Sequence, residues 1–380
     1  MATHRLSFFP LGNADCCRID LDNGDQILID YAAMRDPACK DDLRIDLPSE
    51  LRKDLDSCKR DSYKVVMFTH LDDDHIRGTS NFFYLRHAQK YQGQVDGKSR
   101  IKMDEMWVPA AVITEEGCTE EDRIIRQEAR YRLKEGTGIR VFSRPEELKN
   151  WLEGEGLSVA DRRSLITDAG QLVPGWLAEI QGVEFFVHSP FACRTDDGSY
   201  VERNDGCLVL HATFSADGTK TRVFFGADIR QEPLSEIVRI TRSKNREERL
   251  ESDIVKIPHH SSYLSLGPDK GTTKTKPTED IAYFYEKKLL WRATLISTSK
   301  PIPTNDDDPQ PPHRQAANYY REQADAQGGT YIVTMENPKA SSPETLVIEI
   351  TGSKAKQKKS YSAGLVSAVS QPAPRAGNGD

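Results

Sequence analysis

The amino-acid sequence predicts an α/β protein, an αββα sandwich with an inserted helical subdomain. Three observations carry this expectation. Apolar runs of strand length recur along the chain, charged stretches with helical spacing lie between them, and several strands end in histidine or aspartate. One strand ending in a histidine is common; several such ends converging build a metal cleft along the sheet edge of a sandwich.

Taken in order, the chain opens as a β-meander. Residues 6–9 and 16–21 read as strands joined at Gly12-Asn13-Ala14-Asp15, and the Asn23-Gly24 turn leads into a third at 26–30. In 35–62, Leu43, Leu47, Leu51 and Leu55 recur every four residues, with Pro48-Ser49-Glu50 as the start of a surface helix. The run Val65 to Phe68 is the central strand. After it the pattern predicts a helix over 81–92, with Phe82, Phe83 and Leu85 on the sheet, and a strand over 104–108. Residues 115–175 turn charged and helical, with helices at 120–135, 144–152 and 159–166, and are read as the insert. Its arginines, Arg123, Arg126, Arg130, Arg132 and Arg140, either select an anionic ligand or belong to a solvated cap. The acids alternating with them favour the cap.

Strands resume at 184–188, 206–214, 221–225 and 254–257. Three of them run into polar points: His188-Ser189-Pro190, Gly226-Ala227-Asp228 and Pro258-His259-His260-Ser261-Ser262. Loops follow at 264–279 and 300–312, with a helix at 279–289 and a strand at 293–297 between them. A helix from His313 to Ala326 stops at Gly328-Gly329, and 331–335 with 345–350 form a closing hairpin. One elaborated domain over 1–353 is expected, with 115–175 as the insert and 354–380 as a disordered tail.

Composition narrows the function classes. The chain has 380 residues and 37% hydrophobic content, enough for a large core. Its net charge of -7 and pI near 5.8 give no overall basic footprint, so nucleic acid must be met by a local patch if at all. Seven cysteines, with no Cys-x-x-Cys pair, argue for reduced thiols rather than a disulfide framework. No long apolar stretch marks a signal peptide or membrane span. The expectation is a cytoplasmic protein with no membrane partner.

The strongest signal is His70-Leu71-Asp72-Asp73-Asp74-His75, at the end of the central strand, followed by Arg77-Gly78. His70, Asp72, Asp74 and His75 offer two imidazoles and two carboxylates within six residues. That mixed set suits zinc, manganese or iron rather than calcium. An acidic turn capping the next helix is the plain alternative, but such a turn has no use for histidines on both sides.

This pattern, with Gly226-Ala227-Asp228 and Pro258-His259-His260-Ser261-Ser262, resembles the metallo-β-lactamase fold superfamily. Within it the likeness is closest to the metallohydrolase domain of the ComEC DNA-uptake protein and its free-standing relatives. Gly12-Asn13-Ala14-Asp15, Leu28-Ile29-Asp30 and the segment from His313 through Thr334 belong to the same likeness, which covers about 4–34, 64–80, 183–262 and 291–352.

The resemblance implies two divalent metal ions, zinc or manganese. His70 and Asp72 fall on the first, Asp74 and His75 on the second, Asp228 bridges them, and His259 is the last ligand of the second. His188 takes the remaining first-metal place, with Asp205 or His211 as substitutes and a core histidine as the alternative. Asp74 also orients the nucleophile, and Asp30 or Asp15 accepts hydrogen bonds from ligand histidines. His260, with His313 more distant, holds a phosphate oxygen or protonates the leaving oxygen. Arg77-Gly78 replaces the usual Gly-Gly, and Ser261 a usual glycine, which makes Arg77, Ser261 and Ser262 substrate contacts.

The function implied is a metal-dependent hydrolase, a phosphodiesterase or nuclease acting on nucleic acid or a nucleotide through a metal-activated hydroxide. Arg77, Lys256, Lys270, Lys274 and Lys276 are the local cations near the expected cleft. The alternatives are an ester, lactone or thioester hydrolase of the same fold, and a defence-system component whose insert binds a partner protein. A homo-oligomer is compatible with every one of these.

Overall fold

Period-two alternation of apolar residues builds two sheets here. The structure, a computed structural model, describes residues 2–191 and 206–358. The first sheet takes β1 (His4–Phe8), β2 (Cys17–Asp20), β3 (Gln26–Ile29), β4 (Ser62–Met67), β5 (Lys102–Pro109), β6 (Ile139–Phe142) and β7 (Ile166–Thr167). The second takes β8 (Val183–Ser189), β9 (Val209–Ala216), β10 (Thr219–Phe225), β11 (Ser252–Lys256), β12 (Leu289–Ser297) and β13 (Thr330–Val333). The chain then returns to the first sheet with β14 (Leu346–Thr351) and β15 (Lys354–Gln357). The order is β15-β14-β1-β2-β3-β4-β5-β6-β7 in the nine-stranded sheet and β8 through β13 in sequence in the six-stranded one.

Strands β3 to β7 run parallel, as do β10 to β13. Parallel neighbours share one carboxyl edge, and ligands gather at such edges. Neighbouring residues face opposite ways, so Phe225 enters the core between the sheets with Phe8, Ile27, Trp107 and Phe185, while Phe224 joins an outer core. Helices α1 (Leu47–Ser57), α2 (Asp73–Ile76), α3 (Thr79–Phe82), α4 (Glu121–Glu135) and α5 (Glu146–Gly154) lie on the first sheet's side of the molecule. Leu51, Leu55, Ile125, Leu133 and Leu148 from α1, α4 and α5 pack with Val66 and Phe68. Helices α6 (Gln231–Ser243), α7 (Glu279–Lys287) and α8 (Arg314–Ala326) cover the second sheet with Leu234, Ile237, Phe284 and Tyr320. Three cores thus separate four layers, the αββα sandwich that the sequence predicts.

Residues 115–175 are not helical throughout. Helices α4 and α5 alternate with β6 and β7, which pair in parallel with β5 and with each other and extend the first sheet. Ile139, Arg140, Val141 and Phe142 are all buried, and a four-residue strand between charged helices is too short for its alternation to stand out. Four of the five arginines named in this stretch tie the layer together. Arg132 pairs with Glu128 at 2.6 Å, both fully buried, Arg126 donates to the Glu115 carbonyl, Arg130 donates to the Ile113 carbonyl at 2.8 Å, and Arg140 donates to Thr167 Oγ1 at 3.1 Å.

Three further elements differ from expectation. The helix over 81–92 stops at Phe82, because Tyr84 N bonds the Ile101 carbonyl and Ile101 N the Phe82 carbonyl, which draws the chain out straight. The closing hairpin does not form: Tyr331 pairs with Leu295 in one sheet, and Leu346 with Phe8 in the other. No element is predicted over 231–243, yet Leu234, Ile237, Val238 and Thr241 are the buried stripe of α6. Lysines 354 and 356 of the expected tail lie in β15, and residues 359–380 fall outside the described residues. Among the described residues no helix is long and apolar enough to cross a membrane, and the cysteines are free thiols.

Candidate metal centre

Strand β4 ends at Met67, and the chain turns through Thr69 and His70 into the short helix α2. The turn brings the His70 and His75 rings to 4.0 Å between centroids. Gly78, at φ +78°, lets the chain leave α2 in a left-handed step that a side chain would strain. Beside this turn stands Asp30, at the end of the parallel neighbour β3. It accepts from Thr69 N at 2.7 Å and Thr69 Oγ1 at 2.8 Å, and from His75 Nδ1 at 2.8 Å. With its proton given to Asp30, the Thr69 hydroxyl accepts from His70 Nδ1 at 3.1 Å. Both imidazoles are thereby fixed with Nε2 free.

The second sheet supplies the opposing wall. Strand β10 ends at Gly226-Ala227-Asp228, and a Cβ on Gly226 would sit 2.6 Å from Pro258 Cγ, so only glycine lets these two turns pack. Asp228 is 2% exposed, with Oδ1 at 3.4 Å from His75 Nε2 and Oδ2 at 3.4 Å from His260 Nε2. His260 donates from Nδ1 to the Thr298 carbonyl at 2.7 Å, and its Nε2 lies 3.0 Å from Asp74 Oδ2. Asp72 Oδ2 lies 3.4 Å from His70 Nε2. Positive φ angles of 45° to 63° cluster here, at Asp30, Ala227, His259, His260 and Ser261, a strain of about 1–3 kcal/mol each that persists where surrounding structure imposes it.

Electrostatics follow from burial against neighbours. Burial alone lowers His260, but Asp228 and Asp74 reverse that and push it up to about 10. Burial likewise opposes the charge on His75, and Asp228 and Asp30 carry it well above the imidazole range. Asp228 and Asp74 resist burial through these same imidazoles and fall below the carboxylate range. Each histidine here either carries a proton or offers its lone pair to a cation.

The residues fit a metal. Donor atoms of Asp74, His75, Asp228 and His260 lie within 4.8 Å of one another. His70 Nε2, His75 Nε2 and Asp228 Oδ1 are buried without a hydrogen-bond partner, an arrangement that native interiors avoid unless something else satisfies the atoms. Mixed imidazole and carboxylate donors suit zinc or manganese alike.

Several expected site residues lie elsewhere. His188 follows Val183, Phe185 and Val187, which all point between the sheets, so alternation turns it to the outer face. There its Nε2 donates to the Arg249 carbonyl at 2.9 Å, it packs on Phe186 and Phe224, and burial lowers its pKa to about 4. His211 does the same against Glu251 at 2.9 Å, and Asp205 lies outside the described residues. His188→Leu is expected to keep wild-type metal content while lowering Tm; elemental analysis showing lost metal in a folded variant would contradict this placement.

His259 lies beside the clustered donors but outside their 4.8 Å set, half-buried, with Nδ1 unpartnered. The adjacent His260 lies within that set. Ser261 Oγ bonds Ser297 and Tyr331 at 2.8 and 2.9 Å, and Ser262 Oγ accepts from Leu264 N at 3.3 Å, so both hydroxyls serve the turn. His313 donates from Nε2 to the Pro309 carbonyl at 3.1 Å and meets the Tyr263 ring edge-on. Arg77 points outward to Asp73, four residues back on α2. Of the other expected cations, Lys270 pairs with Asp306, Lys274 with Glu322 and Lys256 with Asp15.

Sequence reasoning singles out neither Thr69 nor Thr298, both buried and hydrogen-bonded to His70 and His260 respectively. Thr69 was within reach as the residue that precedes His70. Asp30, by contrast, is expected from sequence and stands against His75. Asp30→Asn should weaken metal binding about 10–100-fold by loosening His75; a chelator-competition titration with unchanged affinity would refute that role.

No family model and no curated protein matches the sequence. Among solved structures, the chain is similar to unliganded yeast PDE1, at 11% identity over 88% of this chain and 97% of that one, with a TM-score of 0.41. A new diphosphatase from the PhnP family matches at 10% identity over 78% and 86%, with a TM-score of 0.31. A long form RNase Z from yeast matches at 13% identity over 81% of this chain and 39% of that one, with a TM-score of 0.34. Similarity this distant assigns no activity to the chain.

Proposed function

We propose that the protein is a metal-dependent phosphodiesterase or nuclease of metallo-β-lactamase type, in the ComEC-like branch. The supporting observation is the clustered set Asp74, His75, Asp228 and His260, all buried except the half-buried Asp74, joined by His70 Nε2 with no partner. Three carboxylates, from Asp72, Asp74 and Asp228, make the donor set hard enough for cations that bind phosphoryl oxygens.

His70 and Asp72 would hold one cation, Asp74, His75 and His260 the other, and Asp228 both. Bound there, two divalent cations supply Lewis-acid stabilisation of phosphoryl charge and a nucleophile at neutral pH. The chain's own residues do the rest. Asp30 and Thr298 set the ring orientations of His75 and His260. Asp74, about 29% exposed at its side chain, is open to incoming water and orients it. His259, half-buried beside the clustered donors, takes over the phosphate contact or leaving-group protonation that the resemblance gives to His260.

A second reading, an ester, lactone or thioester hydrolase, is favoured by one observation. Four of the five expected phosphate-binding cations are paired with carboxylates, which leaves little basic track for a polyanion. Elemental analysis followed by a cleavage screen decides. About two metals per chain, with turnover of bis-p-nitrophenyl phosphate, DNA or RNA in zinc or manganese, is the expected result. Turnover confined to a neutral ester selects the second reading, and a metal-free protein inert on every substrate overturns both.

A further inference from the structure

We infer that Lys256 is a positioning residue for the metal centre, holding its ligand-bearing segments in register through a buried ammonium rather than touching substrate. The inference rests on the metal-centre reading above. Lys256 ends β11, is 5% exposed, and its three donor directions go to three different partners. One meets Asp15, which comes from the other sheet. One donates to the Ala227 carbonyl at 3.0 Å. The third faces Asp228 Oδ1 at 3.7 Å.

Each partner leads to a ligand. Ala227, at φ 45°, is the turn residue that aims Asp228, and its carbonyl also accepts from His259 N at 3.0 Å. One carbonyl therefore ties the Asp228 turn to the turn that carries His259 and His260. Asp15 donates its backbone N–H to the Asp74 carbonyl at 3.0 Å and accepts from the Thr298 hydroxyl, while the Thr298 carbonyl holds His260. Lys256 thus faces Asp228 directly, reaches the Asp74 segment through Asp15, and reaches the His260 segment through the Ala227 carbonyl and through Asp15 and Thr298 in turn.

A second observation separates this role from simple charge balance. Asp15, Asp30 and His75 form a neighbouring donor group whose atoms also lie within 4.8 Å of one another. The ammonium occupies Asp15 in that group, so a divalent cation entering the centre is kept to the Asp74–Asp228–His260 side. The pair borders a small cavity that Phe8, Ile29 and Phe225 line together with Asp30, Thr69 and Thr298.

The test uses Lys256→Met and the double variant Lys256→Met/Asp15→Asn on the full chain. The single variant leaves a buried carboxylate unpaired and is expected to lose stability. The double variant removes both charges, a change that often leaves stability unaltered, so it is expected to fold with near wild-type Tm. It should nevertheless bind zinc or manganese about 10–100-fold more weakly, read by chelator competition, and show a matching loss in kcat/KM on bis-p-nitrophenyl phosphate. A folded double variant with wild-type metal affinity overturns the inference while wild-type protein still binds metal. Wild-type protein that takes up no metal overturns the functional reading, and this inference with it.

Discussion

Asp228→Ala combined with His75→Ala is expected to abolish metal-dependent phosphodiester cleavage and to strip the protein of metal. Asp228 faces the Nε2 atoms of two imidazoles, with its oxygens 3.4 Å from His75 Nε2 and 3.4 Å from His260 Nε2. His75 is fully buried and fixed by Asp30. Removing both takes away the shared ligand and the nitrogen best set to donate. Metal assistance is worth several kcal/mol, and each 1.36 kcal/mol is a factor of ten, so the loss in kcat/KM should reach about 10³-fold or more. The near-isosteric pair Asp228→Asn with His75→Gln serves as a folding control and should fail in the same way. Cleavage surviving in the purified double variant would sink the assignment.

Two adjacent histidines provide the second large effect. His260→Ala should lower bound metal from about two to about one per chain, and kcat/KM by about 10²-fold or more, because a ligand and its Thr298 anchor go together. His259→Ala should keep its metal and lose kcat instead, by the roughly 10²–10⁴-fold expected of a lost proton donor. The separation rests on geometry: His260 Nε2 is 3.0 Å from Asp74 Oδ2, whereas His259 lies outside the clustered donors. Metal loss from His259→Ala and not from His260→Ala would reverse the assignment and return His259 to the ligand place that the resemblance implies.

Much of the centre is legible in the sequence because it is local. His70, Asp72, Asp74 and His75 leave one strand end within a single turn, and the run Val65 to Phe68 in front of them is apolar throughout. Asp228 and the His259-His260 pair are legible for the same reason, as the first polar residues after buried strands. His188 has the same signature and is misplaced by it. Counting its alternation with Val183, Phe185 and Val187 puts it on the outer face, so the correcting signal was present in seven residues.

Where the chain is not periodic, sequence reasoning has little to hold. His259, His260 and Ser261 are three successive residues at positive φ, and no pattern in Pro-His-His-Ser-Ser says which imidazole such a turn aims inward. Strand β6 is hidden by its length, and Arg132 looks like a surface charge until Glu128 is found buried against it.

By itself the sequence determined the layered α/β class, most of the surface helices and the strand ends that carry the proposed ligands, since these depend on apolar periodicity within one segment. The tertiary structure decided the rest. His260 meets Asp74 across 186 residues of chain, and Lys256 meets Asp15 from the other sheet. Such contacts exist only once two sheets have stacked and set their carboxyl edges side by side. Distance along the chain carries no information about them, whereas burial of the apolar faces brings the polar ends together.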